Sequence, residues 1–281
     1  MKFAVIGHPV AHSLSPVMHA ANFAVLGIDA TYDKIDIPPG ELASRLKQLV
    51  AEGYNGLNVT VPYKEAVIDC LDELDSSVEK YGACNTIKIL PDGKTIGFNT
   101  DVAGYLYALE SNGFSLLGQR VLILGCGGAG RAIAFASLYA GAREIVVCSR
   151  RLERAMAAVA ALEAKKGAAT AMLRADVIED VVSSPDEVAA FDLVVNATPV
   201  GLDASHESLI PSSSFKASQF VFDIIPTKHI PPMTQAARSA GAQALDGLQF
   251  LAAQGAKAWT IWTGLPADLQ SMQHALADAR R

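Results

Sequence analysis

The stretch "RVLILGCGGAGRAIAFASL" limits what this chain can fold into more than any other. An apolar run, Arg120 to Leu124, meets Gly125, Gly127 and Gly130 in the spacing G-x-G-x-x-G, and a helical pattern follows. A strand that turns on glycine straight into a helix is the opening unit of a doubly wound parallel sheet. The first glycine permits the tight turn. The second lets a pyrophosphate approach the backbone, and the third lets the helix pack on the strand. Free N–H groups and the positive helix end then face the diphosphate. A plain glycine-rich connection is the competing reading, and the strand before and helix after weigh against it.

The next strand bears on the cofactor. A site for NAD usually ends that strand with an acid on the ribose 2′-hydroxyl. Here it ends "VVCSRRLER", with Arg150, Arg151 and Arg154 and no acid at the strand's end. Guanidinium groups bind a 2′-phosphate by paired hydrogen bonds, so NADP is favoured over NAD. Basic residues at a helix start oppose its dipole, and a bound anion accounts for them better than a solvated first turn does. Further on, "VVNATPVGL" puts Asn196 and Thr198 at a strand's carboxyl end, where they serve either a ligand or the local turn.

The rest of the chain alternates strand and helix. Strands are expected at Lys2–Gly7, Thr31–Ile37, Gly56–Val61, Glu144–Cys148, Leu193–Asn196 and Phe220–Ile225, with a hairpin of Cys84–Leu90 and Thr95–Phe98 around "PDG". Helices are expected at Val17–Leu26, with Ser15 as cap and Pro16 at its first position, and at Gly40–Glu52. Others run from the turn after Val61 to about Leu74, and over Asp101–Asn112, Ala155–Ala171 and Leu265–Arg281. The fold class is therefore α/β: an N-terminal α/β domain, then a Rossmann-type doubly wound parallel-sheet domain, then C-terminal helices packing back on the first domain. The expected divisions are 1–104, 105–240 and 241–281.

Composition narrows the function. Of 281 residues, 51% are hydrophobic, enough for a large core, and the net charge of −6 argues against nucleic acid and anionic membranes as partners. "MKFAVIGHPV" reads as a strand, not a leader, and no apolar run has the roughly 20 residues of a membrane helix. The four cysteines form no Cys-x-x-Cys pair and read as reduced thiols of a cytoplasmic protein. The six histidines lack metal-ligand spacing, so no metal is expected.

Four polar patches stand at strand ends in the first domain: "HSLSP", "NVTVPYK", "CNTI" and "GFNTD". Each alone is ordinary turn chemistry. Together they suit a small ligand with several hydroxyls and one carboxylate. Lys64 stands at the mouth of the second patch, either a solvated lysine or an acid or base at the edge of a cleft.

In this ordered series the chain resembles the shikimate dehydrogenase family, from "VIGHPVAHSLSP" through "GLNVTVPYKEA", "ACNTI", "GFNTD", "GCGGAGRA" and "NATPVGL" to "QGAKAWTIWTG". The resemblance implies a substrate domain followed by an NADP domain. Ser13 and Ser15 then look like the hydroxyls that hold the substrate carboxylate. Asn58, Thr60, Asn85 and Asp101 look like ligands of ring hydroxyls, and Gln254 like a further substrate contact. Lys64 and Asp101 resemble the catalytic pair. Gly125, Gly127, Gly128, Ala129, Gly130, Thr198 and Gly247 fall to the cofactor. So do Ser149, Arg150 and Arg151, where the family has Asn-Arg-Thr, and Arg154. The implied reaction is NADP-dependent, reversible reduction of 3-dehydroshikimate, with a monomer or homodimer expected.

The chain departs from the family at Pro199, where serine is common, and at Pro226, where tyrosine is common. Two alternatives follow. One is a quinate/shikimate dehydrogenase, or a relative that uses NAD or another cyclic hydroxy acid. The other is a non-catalytic NADP-binding sensor.

Overall fold

The computed structural model describes residues 1–280, and its contacts divide the chain into two compact units. The first unit takes Met1–Tyr105 and the residues from Gln249 on; the second takes Leu106–Leu248.

The first unit is built on β1 (Lys2–Gly7), α1 (Ser15–Leu26), β2 (Thr31–Asp36), α2 (Leu42–Ala51), β3 (Gly56–Val59), β4 (Glu73–Leu74), α3 (Ser76–Tyr81), β5 (Thr86–Ile89) and β6 (Thr95–Phe98). Its sheet has the order β2-β1-β3-β5-β6-β4. The sheet is mixed: β1 pairs in parallel with β2 and β3, whereas β5 runs antiparallel to β3 and to β6. Side chains alternate across β1, so Ala4 and Ile6 join one core with Leu46, Leu49, Leu57 and Ile87, while Phe3 joins another with Phe23, Trp259 and Trp262.

Helix α4 (Asp101–Glu110) leads the chain into the second unit. There follow β7 (Arg120–Leu124), α5 (Gly128–Tyr139), β8 (Glu144–Ser149), α6 (Leu152–Lys165), β9 (Met172–Val177), α7 (Ile178–Val182), α8 (Pro185–Val188), β10 (Leu193–Asn196), β11 (Phe220–Asp223), α9 (Pro232–Ser239) and β12 (Gln243–Leu245). This sheet is parallel throughout, in the order β12-β11-β10-β7-β8-β9. The chain winds outward from β7 first to one side and then to the other, so a switch point lies between β7 and β10. Helix α10 (Gly247–Thr263) returns the chain to the first unit, which ends with α11 (Leu269–Asp278).

Four local expectations need correction. The helix expected over Ala155–Ala171 spans Leu152–Lys165 and stops before Gly167, which takes a left-handed φ of 55°. Ser15 does not cap α1: the capping position is Leu14 with no side-chain bond, and the Ser15 N–H instead donates to Ser13 Oγ at 3.3 Å. The helix expected up to about Leu74 is only a short 3-10 segment, Ala66–Cys70, before β4. Apolar spacing suggests helix there, but Asp72 exchanges three hydrogen bonds with Thr95: its N–H donates to Oγ1 at 3.1 Å, and its Oδ2 accepts from the Thr95 N–H at 2.8 Å and hydroxyl at 2.7 Å. Those bonds draw the segment out beside β6. The last helix begins at Leu269, not Leu265, where Asp268 accepts the Ser271 N–H and acts as cap; Arg281 lies outside the described residues. No helix among the described residues is long and apolar enough to cross a membrane.

Candidate active site

Strands β1, β3 and β6 end, and antiparallel β5 begins, at one edge of the first sheet. That edge gathers polar residues far apart in sequence. Lys64 follows β3 in a tight turn. Its carbonyl accepts the Cys84 N–H at 2.7 Å, and its neighbour Tyr63 is anchored through its hydroxyl to the Ile37 carbonyl at 2.7 Å. The backbone is thereby fixed, and Lys64 Nζ donates to Asp101 Oδ2 at 2.6 Å.

Asp101 opens α4, where a carboxylate suits the helix dipole. Its other oxygen, Oδ1, accepts from Asn85 Nδ2 at 2.8 Å. The Asn85 oxygen accepts the Thr100 N–H at 2.7 Å. Gln254 Oε1 accepts from Asn85 Nδ2 at 3.2 Å, and its own Nε2 donates to the Leu251 carbonyl at 3.0 Å. Side-chain exposure is 15% for Lys64 and 2% for Asp101, so the lysine is the more exposed member of the pair. An ammonium has three protons and one is held by Asp101, which leaves two for an incoming oxygen.

Ser13 and Ser15 lie together, Oγ to Oγ at 3.2 Å. Thr60 turns its methyl carbon towards Gly7. Asn58 is committed inside the protein: Oδ1 accepts the Tyr32 hydroxyl at 2.7 Å, and Nδ2 donates to the Asn85 carbonyl at 3.2 Å and Thr86 Oγ1 at 3.1 Å. The edge therefore joins Lys64, Asp101, Asn85, Gln254 and Asn58 in one network, with the two serines as a separate pair.

Four members were missed in the sequence. Thr86 and Thr100 sit inside the patches "CNTI" and "GFNTD", one residue from those chosen. Their hydroxyls lie 3.2 Å apart and lace Asn58 to Asn85. Tyr32 lies on β2, and its burial raises its pKa, offset in part by the Ser15 hydroxyl. His19 stacks on Tyr32 with ring centroids 4.4 Å apart. Nothing in the local pattern of "MHAANF" separates a buried histidine from a surface one.

His19 makes a prediction about stability. It is fully buried, and neither ring nitrogen finds a hydrogen-bond partner among the described residues. Burial pushes its pKa down to about 3, opposed only in part by the nearby Asn58 side chain. An unfolded chain binds this proton near its ordinary pKa of about 6.5, so the neutral ring stabilises the fold above that pH. The contribution is lost as pH falls from about 6.5 towards about 3. Thermal midpoints measured across that window should fall more steeply for the wild type than for His19→Phe, which keeps the stack and cannot titrate. Parallel curves would contradict this.

The second unit carries a different kind of site. Gly125, with φ of 106°, leaves β7 against Ala197, and a Cβ there would meet the Ala197 carbonyl oxygen at 2.7 Å. At Gly130 a Cβ would meet the Gly125 carbonyl oxygen at 2.1 Å, so the helix packs this closely only with glycine. Gly127 caps α5 with no side-chain bond, and the space where its Cβ would stand is open. Gly128 and Ala129 form the first turn behind it, where backbone N–H groups lack helical partners. Past β8, Ser149, Arg150, Arg151 and Arg154 line a cavity of about 330 Å³. Among the described residues no carboxylate forms an ion pair with these arginines. An uncapped helix end beside a glycine cradle, with uncompensated cations at the end of the next strand, fits a phosphorylated dinucleotide.

Two other residues expected at the cofactor have close neighbours within the second unit. Thr198 Oγ1 donates to Asn196 Oδ1 at 2.7 Å and accepts the Val200 N–H at 3.1 Å, so both side chains serve the turn after β10. Gly247 lies against the Ile224–Ile225 backbone, where a Cβ would come within 2.4 Å.

Residues 5–87 match the shikimate dehydrogenase substrate binding domain, and residues 247–277 match the shikimate 5′-dehydrogenase C-terminal domain. The chain is 41% identical to the shikimate dehydrogenase (NADP(+)) of Moorella thermoacetica, over 98% of this chain and 92% of that one. Among solved structures, shikimate 5-dehydrogenase from Thermus thermophilus, in complex with NADP(H) and shikimate, superposes with a TM-score of 0.85 at 38% identity, covering 99% of each chain. Quinate dehydrogenase from Corynebacterium glutamicum, in complex with NAD, superposes at 0.86 with 29% identity and 99% of each chain covered.

Proposed function

Because this chain belongs to the shikimate dehydrogenase family, we propose that it interconverts 3-dehydroshikimate and shikimate with NADP as cofactor, and that Lys64 and Asp101 move the proton. The observation that carries this reading is the 2.6 Å contact between Lys64 Nζ and Asp101 Oδ2 in an otherwise buried network. The nicotinamide dinucleotide, when bound at the glycine-rich turn, supplies or accepts the hydride. Arg150 and Arg154 would hold its 2′-phosphate, and the α5 N–H groups would hold its diphosphate.

In the reducing direction Lys64 donates a hydrogen bond to the substrate's carbonyl oxygen. Negative charge develops on that oxygen as carbon is reduced, and the ammonium both stabilises it and delivers the proton that makes the hydroxyl. In the oxidising direction the neutral amine takes the hydroxyl proton. Asp101 aims the ammonium and, with Asn85, is itself held still. Ser13 and Ser15 offer hydroxyls to the substrate carboxylate, and Thr60 and Gln254 border its ring hydroxyls.

Absorbance at the reduced-nicotinamide band tests the assignment, with shikimate and quinate each crossed with NADP⁺ and NAD⁺. The highest kcat/KM should belong to shikimate with NADP⁺. Faster turnover of quinate with NAD⁺ would move the chain to the quinate branch, and binding of NADP⁺ without turnover of either acid would make it a sensor.

A further inference from the structure

Two histidines in the second unit meet on a single residue. The Gly201 N–H donates to His206 Nδ1 at 2.9 Å, and the Gly201 carbonyl accepts from His229 Nε2, also at 2.9 Å. His206 belongs to the loop after β10, and His229 to the segment after β11. That segment is itself tied down: buried Thr227 donates its hydroxyl to the His229 carbonyl at 2.6 Å. At the base of the same loop, Asn196 Nδ2 donates to Asp223 Oδ2 and to the Val200 carbonyl, both at 2.9 Å. The loop is therefore fixed at its base by an amide and at its crest by two imidazoles. Its first residues, Ala197 and Thr198, pack directly on Gly125 of the glycine-rich turn.

We infer that His206 and His229 are positioning residues that set the Thr198–Gly201 bend beside the nicotinamide half of the bound dinucleotide. This rests on the NADP reading. With the adenosine half at the arginines past β8, the β10 and β11 ends on the other side of the switch point border the nicotinamide half. The two bonds differ chemically. His206 Nδ1 faces an N–H and accepts only while unprotonated; His229 Nε2 faces a carbonyl and donates whether neutral or charged. The charged groups around the imidazoles are Asp203, whose carboxylate the Ser205 N–H and hydroxyl hold below the usual range and whose charge faces both rings, and Glu207 and Lys228, their neighbours in the chain.

Calorimetric titration of NADP⁺ into the full chain tests this without turnover. His206→Ala and His229→Ala should each raise Kd about fivefold, while His206→Asn, which restores the acceptor, and His229→Gln, which restores the donor, should stay within about twofold of wild type. Amide exchange at Gly201 in the unliganded chain should speed up in His206→Ala and recover in His206→Asn. Alanine variants that bind like wild type would overturn the positioning role alone. A wild type that takes up no NADP⁺ would overturn the cofactor reading and this proposal with it.

Discussion

Lys64→Ala should lower kcat by about 100- to 10,000-fold and change KM for shikimate far less, the usual cost of removing a positioned acid or base. The argument is one of placement. Lys64 is not an ornament on a helix, since no regular helix follows it, and the 3-10 segment begins two residues later at Ala66. Its backbone is tied to Cys84 and its side chain to Asp101. A lysine held at both ends, with its side chain 15% exposed, can meet an oxygen that arrives at the sheet edge. Removing it also strips Asp101 of its cation and leaves a buried carboxylate with Asn85 as its remaining side-chain donor, so some stability is lost as well. Rates are therefore read on protein whose circular dichroism matches wild type, from the appearance of reduced cofactor. A folded variant with near-normal kcat would remove Lys64 from the chemistry.

Changing Arg150, Arg151 and Arg154 together to glutamine should lower kcat/KM for NADP⁺ by about 100-fold or more, because two or more charge-assisted hydrogen bonds are lost. The value for NAD⁺, which has no 2′-phosphate, should change only a few fold. The same variant should not be less stable. These arginines lie at the start of α6, where cations oppose the dipole, and no carboxylate pairs with them among the described residues. Steady-state kinetics with both cofactors and a thermal midpoint check both halves. An equal loss with NAD⁺ would mean that the arginines support the fold and not the phosphate.

Much of this was legible in the sequence because its signals were local. Gly125, Gly127 and Gly130 declare themselves by spacing, and the crowding of Gly125 against Ala197 and of Gly130 against Gly125 gives the reason. The uncompensated arginines were visible as a missing acid. What escaped depended on partners far along the chain. The stretch after Lys64 has helical spacing, yet Asp72 finds Thr95 and is drawn out straight. Ser15 has the chemistry of a cap, yet its N–H goes to Ser13 Oγ. Thr86 and Thr100 looked like turn residues because only the fold brings their hydroxyls between Asn58 and Asn85. Tyr32 and His19 left no local mark, since their role depends on which strand ends beside which helix.

The central claim is that Lys64 and Asp101 act as one unit on one proton. A double-mutant cycle on the single-turnover rate, with Lys64→Ala, Asp101→Asn and the two combined, measures this most directly. Residues that act together are strongly non-additive, so the double variant should be about as slow as the slower single variant. Losses that multiply in the double variant would contradict the account, because each residue would then be working without the other.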